Sequence, residues 1–316
     1  AKRPRMESLS PLLRYEHPQG LPETVCAFST DGGYVISGGA DRCARLFNPL
    51  RRDPIRPSSP LLIKSYEGAH GHGLSDICIA QGNAKFATCG GDKLAFYWDV
   101  HGSVLRRFKG HNEKVNAVAF NEDGTLLFSG SDDRSVRIFD LRAQGRVPVQ
   151  ILDEARDAVM SVFVSSFDVL VAGMDGTVRT YDLRRGECYA DSVGEAVTGM
   201  AVTKDMECIL AMTLDDSVRL LDKSSGKQLN AYYGHVHHNY HMRGDLSHDD
   251  AQVVMGSEDG KIYVYDFLTA QVIHCWDNSH AGCVMCVRAS PKSALFASTA
   301  YDGSLQVFGN PSKVQT

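Results

Sequence analysis

His111, Ser129 and Asp133 lie close together in the sequence and are the three side-chain types of a serine-hydrolase triad. In such a triad the imidazole takes the hydroxyl proton and the carboxylate orients the ring. No Gly-x-Ser-x-Gly turn or oxyanion site accompanies them, and similar sets recur along the chain. Buried polar groups that satisfy one another account for such a pattern, so the set is read as structural. A second candidate is GHVHHNYH (Gly234 to His241), with four histidines of the type that hold zinc. No cysteine or carboxylate falls at ligand spacing within it, which makes it a solvated or partner-facing connecting loop. Cys283 and Cys286 form a CxxC, but residues three apart on an extended strand point to opposite faces, and no second CxxC exists. They are expected to be buried thiols. Lys2-Arg3-Pro4-Arg5 and Arg51, Arg52 and Arg56 are basic spots that could meet RNA, acidic protein or a transport receptor. No glycine-rich phosphate loop is present. The expectation is therefore no catalytic residue, no metal and no cofactor.

The elements that position these residues are short strands. In Gly110 to Asp140, the alternating run Val115 to Phe120 is followed by a polar turn and the apolar run Leu126 to Phe128. A second turn holding Asp133 leads to Val136 to Asp140. Period-two alternation broken by Asp/Gly turns marks antiparallel strands. The unit recurs. A turn aspartate precedes a hydrophobic residue by six positions in Asp41/Phe47, Asp92/Trp98, Asp133/Phe139, Asp175/Tyr181, Asp215/Leu221, Asp259/Tyr265 and Asp302/Phe308. Successive aspartates are 51, 41, 42, 40, 44 and 43 residues apart. Outer strands follow at Leu61 to Tyr66, Val104 to Phe108, Val149 to Leu152, Cys188 to Val193, Gln228 to Tyr233 and Val272 to Trp276. The seventh unit has none after Phe308, and Leu12 to Glu16 supplies it from the other end of the chain. Closing the ring in this way removes two free sheet edges.

A period near 40–45 residues ending in an aromatic-Asp pair resembles the WD-repeat family. The expected fold is all-β, a single seven-bladed WD-repeat β-propeller over residues 12–309, closed by an N-terminal strand in the last blade. Residues 1–11 are expected to be a flexible basic N-terminus, and residues 310–316 a short tail. The connection Arg51 to Pro60 is longer than the pattern requires. The resemblance further implies a hydrogen-bonded network of His, Ser/Thr, turn Asp and Trp in each blade. Here it comprises His111, Ser129, Asp133 and Phe139, with Asp41, Asp92, Trp98, Asp175, Asp215, Asp259 and Asp302. His280 and His235 fit the histidine slot of blades seven and six, and either His70 or His72 that of blade two. Blades four and five, around Arg156 and Glu195, have no histidine there.

Composition narrows the function. The chain has 316 residues, 43% hydrophobic and 22% charged, and a net charge of −5, which exerts no global pull on nucleic acid or anionic membrane. No apolar run is long enough to span a bilayer, and AKRPRMESLS lacks the apolar segment of a secretory signal. Nine cysteines, an odd number, fit reduced thiols in nucleus and cytoplasm. Loops present function while sheets hold them rigid. The residues before the turn aspartates are Ala40, Gly91, Asp132, Met174, Leu214, Glu258 and Tyr301. Met174, Leu214 and Tyr301 are large, apolar and expected to be exposed. With Lys114, Asp132, Arg156, Asp157, Tyr240, His241 and Glu258 they form the expected partner-binding rim. LDEARDAVMSV, GMDGTVRTYDLR, LDDSVRLLDKSSGK and GSEDGKIYVYDF are similar to WD-repeat family members known as kinase-cascade scaffolds and spliceosome components. That resemblance implies a protein-interaction scaffold, monomeric within a larger assembly of spliceosomal proteins or mitogen-activated protein kinase components. The alternative is a ribonucleoprotein subunit in direct contact with RNA.

Overall fold

Alternation along Val115–Phe120 sends one set of side chains to each neighbouring blade, and the Asp/Gly turns reverse the chain. In the computed structural model, which describes residues 9–311, Val115–Phe120, Leu126–Ser131, Val136–Asp140 and Gln150–Leu152 form one antiparallel sheet in that order. Seven such four-stranded sheets make a seven-bladed β-propeller. No helix among the described residues is long and apolar enough to cross a membrane. The core lies between blades. Phe128, Val136 and Ile138 of blade three pack on Val159, Val169, Val171 and Tyr181 of blade four. Burying such faces at about 25 cal/mol per Å² is what holds sheet on sheet.

The seventh sheet is built from both ends of the chain. Ser10–Glu16 pairs antiparallel with Ser304–Gly309, Ser10 opposite Gly309 and Glu16 opposite Ser304. The strand begins two residues ahead of Leu12, and the basic run 2–5 lies outside the described residues. The long connection after Phe47 extends its hairpin. Arg52 pairs with Pro60, the Asp53 N–H donates to Ser59 O at 3.0 Å, and the Arg14 N–H donates to Ser58 O at 2.8 Å. That segment therefore covers part of the outer edge of the N-terminal strand.

The recurrent aspartates are set by turn geometry. Arg42, Lys93, Arg134, Gly176, Asp216, Gly260 and Gly303 follow them, and all seven have φ between +60° and +82°. Glycine reaches this region without strain, and it fills three of the seven places. In six turns the aspartate carboxylate accepts the N–H two residues on, for example Ser304 N to Asp302 at 2.9 Å. Asp215 instead takes the Ser217 hydroxyl at 2.6 Å.

The other carboxylate oxygen ties the turn to the incoming loop, by two different chemistries. In blade two, His70 bridges Asp92 at 2.9 Å and Thr88 at 2.7 Å, and the Trp98 indole donates to the same Thr88 hydroxyl at 2.9 Å. His70, and not His72, fills the slot. His111 likewise bridges Asp133 and Ser129 at 2.9 and 2.8 Å, where Phe139 has no donor to add. His280 reaches Ser298 at 2.7 Å and Ser304 at 2.6 Å. His17, which the repeat pattern did not single out, meets Asp41 in blade one at 3.2 Å. In blades four and five an arginine four residues after the aspartate takes the histidine's role. Arg179 donates to Asp175 at 2.7 and 3.2 Å, and Arg219 donates to Asp215. Burial raises the Asp175 carboxyl, but the bonds from Arg179 and Thr177 outweigh it and hold it down at about 2.

Asp259 departs from the expected network. Its carboxylate accepts the Lys261 N–H at 3.2 Å and lies 3.7 Å from the Lys261 amine, while His235 turns to the Tyr265 hydroxyl at 2.9 Å. The phenol of Tyr265, where blade two has an indole, reaches the ring directly. The two kinds of aspartate should therefore differ in weight. Asp175→Ala strands a guanidinium whose side chain is 5% exposed, and an unpaired buried charge costs roughly 3–5 kcal/mol. Asp259→Ala removes a turn cap worth about 1 kcal/mol. Urea denaturation of the two variants should reproduce that gap; equal losses would refute the arginine substitution.

Candidate partner-binding rim

In six blades the residue before the turn aspartate donates its backbone N–H to the carbonyl just ahead of its blade's innermost strand, and in blade six Glu258 reaches back to the preceding loop instead. Ala40 bonds Pro22, Gly91 bonds Gly73, Asp132 bonds Lys114 and Met174 bonds Ala158. Leu214 bonds Ala196, Glu258 bonds Val236 and Tyr301 bonds Cys283, the whole set spanning 2.9–3.2 Å. Six equivalent contacts, with the Glu258 bond to the loop before blade six, put these residues on one face, around the channel. Inside them, the innermost strands of six blades slip register after their first residue. A bulge leaves one residue out of the ladder and re-aims its side chain. Those residues, Thr24, Ser75, Asn116, Met160, Thr198 and Met285, line a cavity of about 290 Å³ with Lys114, Tyr240, His241 and Arg243.

Blade six breaks the pattern, and the loop before it supplies the difference. Its innermost strand is only Asp245–Leu246. Arg243 instead bridges to Cys286 of blade seven. Its guanidinium crosses the channel, donating to Asp76 of blade two, to Asn116 O of blade three at 2.7 Å and to Met160 O of blade four at 3.4 Å. One arginine thus joins four blades below the mouth. The absence of alternation across 235–244 is the only trace of this in the sequence.

The same loop corrects the reading of the histidine run as solvated. His235 and His237 are 2% and 0% exposed, whereas His238 and His241 face solvent. The His237 ring bonds Tyr240 O at 3.0 Å and the Thr198 hydroxyl at 3.2 Å. Burial, followed by the neighbouring His237, pushes His235 down to about 4, and burial pushes His237 down to about 4. The Cys283 thiol lies 3.5 Å from the Met242 sulfur, and the Cys286 thiol 3.8 Å from Cys26 O. These two thiols are buried among different neighbours.

The expected rim residues sort unequally. Lys114, Arg156 and Asp157 are exposed, and Tyr301 is 52% exposed. The rings of Tyr240 and Tyr301 meet at 5.8 Å between centroids, joining the blade-six loop to blade seven. Partial desolvation of its ring, then the Lys114 charge, lowers His241 below its ordinary value. Asp132 accepts the Asn116 amide at 2.6 Å. Two expectations need correction. Met174 and Leu214 are half-buried and not exposed. Glu258 is no free charge. It accepts the N–H groups of His238, Asn239 and Tyr240 at 2.7, 2.5 and 3.2 Å and so builds the loop that carries Tyr240.

Known proteins agree with this architecture. The family described as WD domain, G-beta repeat matches residues 11–48, 102–140 and 271–308. The chain is 31% identical over 317 residues to WD repeat domain-containing protein 83 homolog of Dictyostelium discoideum, across 90% of this chain and 94% of that one. It is 42% identical to WD repeat domain-containing protein 83 of Homo sapiens, across 79% and 76%. The Xenopus tropicalis protein of that name is 37% identical, across 86% and 85%. The chain belongs to the WD-repeat family.

Proposed function

We propose that this chain is a non-catalytic scaffold that docks segments of partner proteins on the rim. The observation that carries the reading is the exposed Tyr240–Tyr301 pair, set on the annulus that six equivalent backbone contacts and the Glu258 bond define. Exposed aromatics on rigid supports supply large contact area at small entropic cost. WD-repeat propellers generally serve protein interaction. Similarity to WD repeat domain-containing protein 83, and the resemblance to the mitogen-activated protein kinase organizer, support partners among spliceosomal or kinase-cascade proteins. Unpaired cysteines throughout the chain are in keeping with a nuclear and cytoplasmic site of action.

Changing Leu214, Tyr240 and Tyr301 together to Ser tests the rim. Hot-spot truncations cost ~2 kcal/mol or more, so affinity capture with mass spectrometry should lose the wild-type partners while the melting temperature moves little. Lys227→Glu, on the exposed edge of blade five, should leave capture intact. Retention of the full partner set by the rim variant would refute the proposal, and loss of all partners on ribonuclease treatment would favour contact through RNA.

A further inference from the structure

Between the outer edges of blades two and three lies a groove of about 540 Å³. Val104, Leu105 and Leu141 give it an apolar floor, and Arg106, Arg107, Arg142 and Arg146 surround it. Four arginines converge here in a chain whose net charge is −5. Two of them are committed locally. Arg106 donates to Asp140 O at 2.9 Å and to Gly145 O, which fixes the groove wall. Arg142 pairs with the Asp140 carboxylate at 3.2 Å. Arg107 and Arg146 are exposed, and among the described residues neither has a carboxylate partner. Arg107 is held over the Phe96 ring at 5.7 Å, which positions its charge without neutralising it.

Apolar side chains are exposed beside those charges. Val104 and Leu105 of the groove are 44% and 43% exposed. The strand that carries them, Val104–Phe108, is the outermost of blade two and has no strand on its outer side among the described residues.

We propose that this groove is a second docking site, distinct from the rim, for an extended acidic segment of a partner protein. Carboxylates of the segment pair with Arg107 and Arg146, its apolar side chains rest on Val104 and Leu105, and its backbone lies against the open edge. Strand addition of this kind draws affinity from main-chain bonds and specificity from alternate side chains. A nucleic acid fits less well. Phe96, Tyr97 and Phe108 are all buried, so no exposed ring of this groove is available for base stacking.

The test uses the whole chain and fluorescence anisotropy. The probes are a labelled peptide alternating glutamate with leucine, the same peptide with lysine for glutamate, and a uridine oligonucleotide. The glutamate peptide should bind, weaken with salt, and lose affinity about tenfold or more in Arg107→Glu with Arg146→Glu. Both side chains are exposed, so that variant should melt with the wild type. Val104→Ser with Leu105→Ser, an independent pair, should weaken the same peptide while preserving its salt dependence. The rim variant should bind it normally, which separates this site from the rim. Failure of the glutamate peptide to bind, equal affinity in the charge-reversed chain, or capture of the lysine peptide or oligonucleotide in its place would each overturn the proposal.

Discussion

Deleting residues 1–17 should unfold the propeller. The deletion strips the outer strand from blade seven and removes Leu9, Leu13 and Tyr15, all buried. At roughly 2 kcal/mol for each buried side chain, their loss alone approaches 6 kcal/mol. It also removes His17 from Asp41, leaving the turn of blade one without its imidazole. Against a total stability of about 5–15 kcal/mol, a loss of this size leaves little folded protein. Thermal denaturation of the truncated chain should show no cooperative transition near the wild-type midpoint. A synthetic peptide of residues 1–17 should restore part of the transition, because the missing strand is a separable edge element. An unchanged melting temperature would sink the closure.

Acid should be the second large lever. His235 and His237 titrate near 6.5 when unfolded and are pushed down to about 4 in the fold. The unfolded chain therefore binds their protons first, and stability falls as pH drops from about 6.5 towards 4. Above 6.5 both are neutral in either state and the contribution is complete. At 1.36 kcal/mol per pKa unit, each histidine accounts for roughly 3 kcal/mol across that window. The groups facing them, Asp215, Asp216, Glu258, Asp259 and His241, are already included in those depressed values. Urea midpoints measured between pH 7 and pH 5 should decline, and His237→Gln should flatten the decline by about half. A flat profile in the parent chain would show that the rings accept protons in place.

The fold was legible because each blade restates one steric requirement. A turn with φ near +60° at its second corner wants an aspartate beside it, and that residue type marks the period whatever the rest of the blade does. The N-terminal strand could be placed by subtraction, since six units had outer strands and one lacked its own. His17 stands 24 residues before Asp41, the spacing of His235 from Asp259, but it follows directly on the strand that closes blade seven, so the blade-one slot it fills shows only in the structure. The arginine substitution was visible in Thr177-Val178-Arg179 and Ser217-Val218-Arg219, but its meaning needed the distance to the carboxylate. The 235–244 loop was the hardest stretch. Polar residues there are buried by partners from other blades, and no local pattern records that Thr198 or Met160 lies opposite.

The pairing of Ser10 with Gly309 also bears on how the molecule is made. A ribosome releases the first strand long before its partner exists. Six blades are contiguous in sequence and can form as the chain emerges, from contacts no farther apart than one repeat. The seventh waits for Ser304–Gly309, and until then Ser10–Glu16 is an unpaired edge of the kind that invites wrong partners. The strand Ser304–Gly309 is therefore what makes Ser10–Glu16 safe, and a chain cut just before Ser304 would leave both ends of the ring open.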